Sequence, residues 1–246
     1  MSVMDKSLAV KLYQKMLMIR RAEEKIIEIY PSDKIQSPVH LSIGQEAVSV
    51  GVCEAMRAED RIYGTYRSHA LYAAKSNDLN KMFAELYAKD TGCARGKGGS
   101  MHLVSPEHGL MCCSAIVSST IPVATGHALA SQMQGRKYAV IAFFGDGAVG
   151  EGVFFESINF AMLKNLPVLY LIENNGYAIH SKIAERHKQT DLYKIGEGLG
   201  MKGERYDGMD VFNVYEKTVS ALDAIRSGGE PRILEMIQAW GGVTIA

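Results

Sequence analysis

The residues whose types and spacing carry most chemistry lie in one stretch, YAVIAFFGDGAVGEGVFFESINFAMLKNLPVLYLIENNGYAIHS, from Tyr138 to Ser181. Asp146 sits between Gly145 and Gly147, and the pair Asn174-Asn175 follows at the end of the next apolar run. A carboxylate and a carboxamide oxygen are hard donors suited to Mg²⁺. Glycines beside the acid let backbone amides approach a phosphate at a helix N-terminus. The chemistry suggested is a metal-bridged pyrophosphate. A rival is written in the same letters. Gly145-x-Gly147-x-x-Gly150 matches a dinucleotide fingerprint, with Glu173 near the place of a ribose-binding acid, which would make the chain an NAD-binding dehydrogenase. Asp146 weighs against it, because a bare carboxylate beside a pyrophosphate is costly unless a cation lies between them. That reading also gives Asn174 and Asn175 nothing to do. A plain turn followed by a strand-end loop is the third reading; GDG alone is weak evidence against it, and GDG joined to paired asparagines at the end of the next strand is strong evidence.

For Asp146 and Asn175 to meet, the chain around them must form a β-α-β unit. Tyr138–Phe144 and Pro167–Ile172 are short continuous apolar runs, the mark of strands buried on both faces. The intervening stretch places Val153, Ser157 and Ala161 on one helical face, with Phe154, Ile158 and Met162 beside them. The two strands are expected to run parallel, so that both motifs emerge at the carboxyl edge of the sheet, where open α/β sheets bind ligands. The rest alternates in the same way. Asp5 is placed to cap a helix carrying Leu8, Leu12 and Met16, with Arg20, Arg21, Glu23, Glu24 and Lys25 as a charged face. Further helices are expected from Gln45-Glu46, over 121–133 with Thr120 as cap, and over Val211–Ile225, with a last strand at Pro231–Ile237. This predicts a doubly wound parallel α/β sheet with helices on both faces, as one domain over 1–246.

Several other stretches hold candidate site residues. His40 opens HLSIGQEA at a helix entrance. Tyr66-Arg67-Ser68-His69 offers a planar guanidinium that matches phosphate oxygens and a flat phenol. Thr91–His102 (TGCARGKGGSMH) fails the P-loop pattern, since Lys97 is followed by glycine; it is expected to be a flexible loop at the mouth of a site, with His102 in reach of substrate. Residues 182–191 (KIAERHKQTD) have no apolar stripe and are expected to be a solvated loop.

GDG followed by NN resembles the thiamine-diphosphate motif. The wider resemblance, over about 16–236, is to the alpha subunit of the decarboxylating component of 2-oxo acid dehydrogenases of the pyruvate, branched-chain and acetoin types. It rests on HLSIGQEAVSVG at 40–51, YRSH at 66–69, GKGGSMH at 96–102, GDG at 145–147 and ENNGYAIHS at 173–181. The resemblance implies a transketolase-like thiamine-diphosphate fold and oxidative decarboxylation of a 2-oxo acid, or acetoin cleavage. It places Asp146, Asn175 and the backbone carbonyl of Tyr177 on Mg²⁺. Tyr66, Arg67, Gly147 and Ala148 fall on thiamine diphosphate, and the backbones of Ala115 and Val117 on its aminopyrimidine ring. His40 and His102 become the catalytic candidates. A beta subunit is implied, supplying the glutamate that activates the cofactor, since Glu46 and Glu156 sit on the phosphate side or in the packing. A lipoyl-bearing acyltransferase is implied as the acyl acceptor. Two departures stand out: Cys112, Cys113, Ser118 and Ser119 replace local glycines, and the sequence ends at Trp240–Ala246 without the family's C-terminal histidine loop, so the chain reads as C-terminally truncated, or as a diverged, non-catalytic subunit.

The bulk numbers agree with an enzyme of this kind. Twenty-seven basic and 27 acidic residues among 246 cancel, which favours neither nucleic acid nor an anionic membrane as partner. No apolar run reaches membrane-spanning length and no signal peptide is evident. The four cysteines have neither zinc nor disulfide spacing. A cytoplasmic location is expected, or the mitochondrial matrix in a eukaryote.

Overall fold

The computed structural model of the protein describes residues 5–35, 37–239 and 244–245. In chain order its elements are α1 (Lys6–Ile29), β1 (Val39–His40), α2 (Glu46–Ala55), β2 (Arg61–Thr65), α3 (His69–Ser76), α4 (Leu79–Leu86) and β3 (Leu110–Ser114). Then come α5 (Thr120–Met133), β4 (Val140–Gly145), α6 (Gly152–Lys164), β5 (Val168–Asn174), and a hairpin of β6 (Tyr177–Ala178) and β7 (Ser181–Lys182). The chain continues through α7 (Ile183–Arg186), α8 (Tyr193–Glu197), β8 (Lys202–Asp207), α9 (Val211–Arg226), β9 (Arg232–Ile237) and β10 (Thr244–Ile245).

Six strands form one sheet in the order β3-β2-β4-β5-β9-β8, and every pairing in it is parallel. The continuous apolar runs follow from burial on both faces. In β4, Ile141 and Phe143 point into the core under α1, α2, α3 and α9, while Val140, Ala142 and Phe144 point into the core under α5 and α6. In β5, Leu169 and Leu171 take the first side and Val168, Tyr170 and Ile172 the second. Each of the valines, leucines, isoleucines and phenylalanines among them contributes about 1.5–3 kcal/mol on full burial, so a one-residue slip is opposed on both faces at once. Gly51 lets α2 and α9 touch, because a Cβ there would stand 2.7 Å from Val214 Cγ1. His127 is structural: it bridges the Tyr63 and Tyr138 hydroxyls at 2.7 and 2.9 Å.

The β-α-β core and the helices at 6–29, 46–55, 120–133 and 211–226 match the sequence expectations, with Asp5 accepting from the Ser7 N–H as cap. Four local readings change. Ser119, not Thr120, is the residue before α5, and it caps with no side-chain bond. Glu23 does not lie on a charged surface face but is buried, bonded to His69 Nδ1 at 3.0 Å and to the Ser42 N–H at 2.9 Å. The glycine-rich loop is not a free loop at the site mouth. Its N–H groups at Ala94, Gly96, Gly98 and Gly99 all point at the buried carboxylate of Glu85, at 2.7–3.1 Å. Glycines at 96 and 99 supply the positive φ angles, 70° and 58°, that this wrapping needs. Lastly, residues 182–191, though largely exposed, carry strand, helix and a half-buried arginine paired with Asp146 rather than a plain solvated loop. All four cysteines are free, and among the described residues no helix is long and apolar enough to cross a membrane. The terminal stretch beyond 239 lies largely outside the described residues, apart from the antiparallel pairing of Thr244–Ile245 with Val39–His40.

Candidate active site

The chain runs from β2 outward to the edge strand β3, and then from β4 outward in the other direction to β5. Connections therefore diverge between β2 and β4, and a crevice opens beyond their carboxyl ends, the usual ligand position in an open α/β sheet. A cleft of about 730 Å³ lies there. Its walls come from the segments that leave four neighbouring parallel strands: Thr65–Arg67 after β2, Ser114–Ser118 after β3, Gly145–Ala148 after β4, and Glu173, Asn175 and Tyr177 at the end of β5. His40 and Gln45 close it from the α2 side.

Ten of the residues singled out from sequence meet in this cleft: His40, Tyr66, Arg67, Ala115, Val117, Asp146, Gly147, Ala148, Asn175 and Tyr177. His102 does not. It is exposed, with Nδ1 held 3.2 Å from the Cys113 carbonyl, and only its neighbour Met101 reaches the wall. The displacement follows from the Glu85 anchor, which sets where the glycine-rich loop ends. His69 is also withdrawn. Buried between Glu23 and Ser100 Oγ (2.7 Å), it ties the His40–Ser42 loop, α1 and the end of the glycine-rich loop together.

Asp146 is buried, and burial raises its carboxyl above the usual range against the lowering effect of an ion pair with Arg186. Asn175 Oδ1 accepts from the Tyr177 N–H at 3.0 Å, which leaves one lone pair of that oxygen for a ligand. Asn174 turns away, accepting from Gly176 N–H and donating to Glu235. Arg67 bonds the Leu41 carbonyl, and its N–H reaches Thr65 Oγ1 at 3.2 Å. His40 packs edge-on against Tyr66 at 4.6 Å between ring centroids. Burial, with the Arg67 charge behind it, pushes its pKa down to about 4, so the ring is neutral near pH 7. Its Nδ1 is buried with no partner among the described residues. Ser118 takes a left-handed φ of 66° and is held there by its hydroxyl on the Ala148 carbonyl at 3.0 Å, which joins the β3 wall to the GDG turn.

Sequence reasoning gave no site role to Gln45 and Ile179, although both lie inside quoted motifs, nor to Ile116 and Arg186, which lie in none. It met Glu173 only as a ribose acid. In the structure Glu173 is buried at the cleft base; burial pushes its pKa up to about 7, opposed by Gln238 Nε2 at 3.2 Å and the Arg67 charge. Near pH 6 the folded chain thus holds a proton that the unfolded chain, with a glutamate pKa of about 4.3, has released. Stability in the absence of ligands is expected to fall as pH rises from about 4 to about 7 and to level off above that, by roughly 4 kcal/mol in all. Urea denaturation across that range, with Glu173→Gln beside the wild type, measures it. An equal slope in both proteins would assign the effect elsewhere.

A family model described as the dehydrogenase E1 component matches residues 14–238. The chain is 37% identical over 227 residues to the alpha subunit of acetoin:2,6-dichlorophenolindophenol oxidoreductase of Bacillus subtilis, covering 92% of this chain and 68% of that one. It is 40% identical over 228 residues to the pyruvate dehydrogenase E1 component subunit alpha of Rhizobium meliloti, covering 93% and 66%. The chain spans about two thirds of the length of these relatives. A solved structure from Mycobacterium smegmatis, described as a thiamin diphosphate-dependent enzyme, shares the fold with a TM-score of 0.52 at 14% identity, over 82% of this chain and 33% of that one. With the family model spanning nearly the whole chain and the motif residues lining one cleft, this protein belongs to the dehydrogenase E1 component family.

Proposed function

We propose that this chain is the alpha subunit of a thiamine-diphosphate-dependent dehydrogenase that decarboxylates a 2-oxo acid or cleaves acetoin, and passes the acyl unit to a lipoyl-bearing acyltransferase. The observation that carries the reading is the convergence of Asp146, Asn175, Tyr66 and Arg67 on one cleft at the switch point of a parallel sheet. The names of the relatives, pyruvate dehydrogenase and acetoin oxidoreductase alpha subunits, support it.

The residues present fit a metal diphosphate. A carboxylate, a carboxamide oxygen and a backbone carbonyl form an oxygen donor set suited to Mg²⁺. Asp146 already demands a positive partner, and Arg186 meets that demand with a guanidinium. The unpartnered Nδ1 of His40 is a buried polar atom that a ligand would satisfy. In this reading Asp146, Asn175 and the Tyr177 carbonyl hold Mg²⁺, and Arg67, Tyr66, Gly147 and Ala148 hold the diphosphate. The backbones of Ala115 and Val117 meet the aminopyrimidine ring. Thiamine diphosphate supplies the electron sink for decarboxylation. His40, neutral near pH 7, can donate or accept one hydrogen bond to the reacting oxygen, and its contact with Tyr66 fixes the ring plane. No role is assigned to His102, which lies outside the cleft.

Calorimetric titration with thiamine diphosphate and with NAD, each with and without Mg²⁺, tests this. Binding of thiamine diphosphate that requires the metal, and none of NAD, is expected. Metal-independent binding of NAD would restore the dinucleotide reading of Gly145–Gly150.

A further inference from the structure

Ser100, His69 and Glu23 stand in the order of a hydrolase triad. Ser100 Oγ lies 2.7 Å from His69 Nε2, and His69 Nδ1 lies 3.0 Å from Glu23 Oε2. Attack by this serine is ruled out by its place. Ser100 is 0% exposed, His69 and Glu23 are 1% exposed, and none of the three lines the cleft. What remains is directional bonding. The Glu23 carboxylate only accepts, so His69 Nδ1 carries a proton toward it, and in the neutral ring Nε2 accepts from the Ser100 hydroxyl.

Followed outward, these bonds reach two walls of the cleft. The other oxygen of Glu23 takes the Ser42 N–H at 2.9 Å, two residues after His40. His69 opens α3, two residues after Arg67. Arg67 in turn donates to the carbonyl of Leu41, the neighbour of Ser42. Leu41, Arg67, His69, Glu23 and Ser42 therefore form a closed circuit of bonds and short stretches of chain. It joins the segment that carries His40 to the segment that carries Tyr66, and the rings of those two residues touch edge-on. At its far end the glycine-rich loop delivers Ser100. Glu85 pins the N–H groups of Gly98 and Gly99 just before it, and the Ser100 carbonyl accepts from Ser68 Oγ at 3.0 Å. The glycine-rich motif and the histidine of YRSH have no place among the donors proposed for the metal diphosphate, and this circuit accounts for both.

We propose that Glu23, His69 and Ser100 are positioning residues of the cleft, which clamp the His40–Ser42 segment to the Tyr66–His69 segment and so fix the His40 ring and the Arg67 guanidinium. A buried carboxylate is costly unless its oxygens are bonded, and both oxygens of Glu23 are, so the circuit resists opening. His40 shows what the clamp achieves. Its ring is held half-buried and beside the Arg67 charge, the two leading causes of its lowered pKa; a ring free to swing into water titrates near about 6.5. The roles of His40 and Arg67 rest on the thiamine-diphosphate reading above; the circuit that holds them does not.

The test follows the His40 ring in the full chain by proton NMR between about pH 5 and 8, its signal assigned from the spectrum of His40→Gln. The variants are Glu23→Leu, His69→Phe, Ser100→Ala and Glu23→Gln, with His127→Phe as a control that removes a structural histidine elsewhere. The wild-type ring is expected to stay neutral throughout. In Glu23→Leu and His69→Phe its midpoint is expected to rise by at least about one pH unit toward 6.5, and in Ser100→Ala by less, read as a protonated fraction at the acid end that the wild type lacks. Glu23→Gln should behave as the wild type. Glutamine can accept from Ser42 and donate to His69 Nδ1 while the ring moves its own proton to Nε2 and donates to Ser100, so every bond survives. At saturating Mg²⁺, Glu23→Leu and His69→Phe are expected to bind thiamine diphosphate about 10-fold more weakly through the loosened Arg67. A folded Glu23→Leu or His69→Phe whose His40 titrates as in the wild type would overturn the proposal. So would an equal shift in Glu23→Gln, or in His127→Phe, which would trace the change to lost charge or to general loosening. Should Glu23→Leu and His69→Phe fail to fold, Ser100→Ala decides, and an unmoved His40 there overturns the clamp. Should the wild type bind no thiamine diphosphate, the functional reading fails by itself, and the clamp is judged by the NMR titrations alone.

Discussion

An Asp146→Asn chain is expected to bind thiamine diphosphate at saturating Mg²⁺ about 10²–10³-fold more weakly than the wild type, with its fold unchanged. Among the three proposed donors, Asp146, Asn175 and the Tyr177 carbonyl, only Asp146 brings a formal charge. A unit charge facing another at about 4 Å is worth about 4 kcal/mol at the effective dielectric of a partly wet cleft, and a divalent ion gains more. Screening and the remaining oxygen donors return part of that, which leaves a loss of the stated order. The fold should tolerate the change. Asparagine has the same shape, and burial already penalises the carboxylate at this position, since its pKa is raised despite the Arg186 charge. Arg186 is partly exposed and can turn its guanidinium to water when its partner is removed. Calorimetry gives the affinity, and circular dichroism with a thermal melt gives the fold. Affinity within a factor of about three of wild type, in a folded variant, would remove Asp146 from the metal site.

The parts of this architecture that were legible in sequence are those where one residue pattern had one physical meaning. β4 and β5 must be apolar on both faces, so each appears as an unbroken run, and GDG and NN stand at their ends. The strands that escaped notice have other constraints. β8 is an edge strand with the polar sequence KGERYD. β3 is the opposite edge and carries two cysteines. β2 is internal but short, and contains Gly64 because a Cβ there would press on Leu71 and Cys113. None of these shows the period or the composition of a core strand. Charged residues were the harder problem. Glu23, Glu85 and Arg186 sit in runs that look solvated, and each is turned inward by partners far along the chain: His69 and Ser42, the glycine-rich loop, and Asp146. Such pairing depends on the tertiary fold, and local spacing contains no trace of it. The same limit misplaced His102, since the position of its loop is decided at Glu85.

The purified chain is expected to decarboxylate at a rate about 10²–10⁴-fold below that of its mixture with a beta partner, the range that a positioned acid–base group contributes. Thiamine enzymes use a carboxylate against the aminopyrimidine ring, and on the proposed reading that ring lies by Ala115 and Val117. The acids that line the cleft are Asp146, Glu151 and Glu173. Asp146 is committed to cation pairing. Glu173 lies at the end of β5, beside β4 and its Asp146 turn, bonded to Gln238 and under the influence of Arg67. Glu151 is exposed, and its side chain has no partner among the described residues; a hydrated, unheld carboxylate is a poor positioned acid. The two acids weighed from sequence are placed elsewhere, Glu46 buried against Arg20 at 2.6 Å and Glu156 exposed on α6. The mouth of the cleft meanwhile presents Ile116 at 71% exposure and Val117 at 46%, with Ile179 at the hairpin tip. Apolar side chains grouped at the rim of a polar cleft are what a second protein surface would cover. We therefore place the activating acid on the beta chain, reaching the cleft across that rim. Assays of the alpha chain alone, of the beta chain alone and of the mixture, each with Mg²⁺, thiamine diphosphate, a set of 2-oxo acids and acetoin, read the dependence directly. Turnover by the alpha chain within 10-fold of the mixture, in a sample shown by mass spectrometry to be free of partner, would mean that one of its own carboxylates does the work, with Glu151 the first to replace.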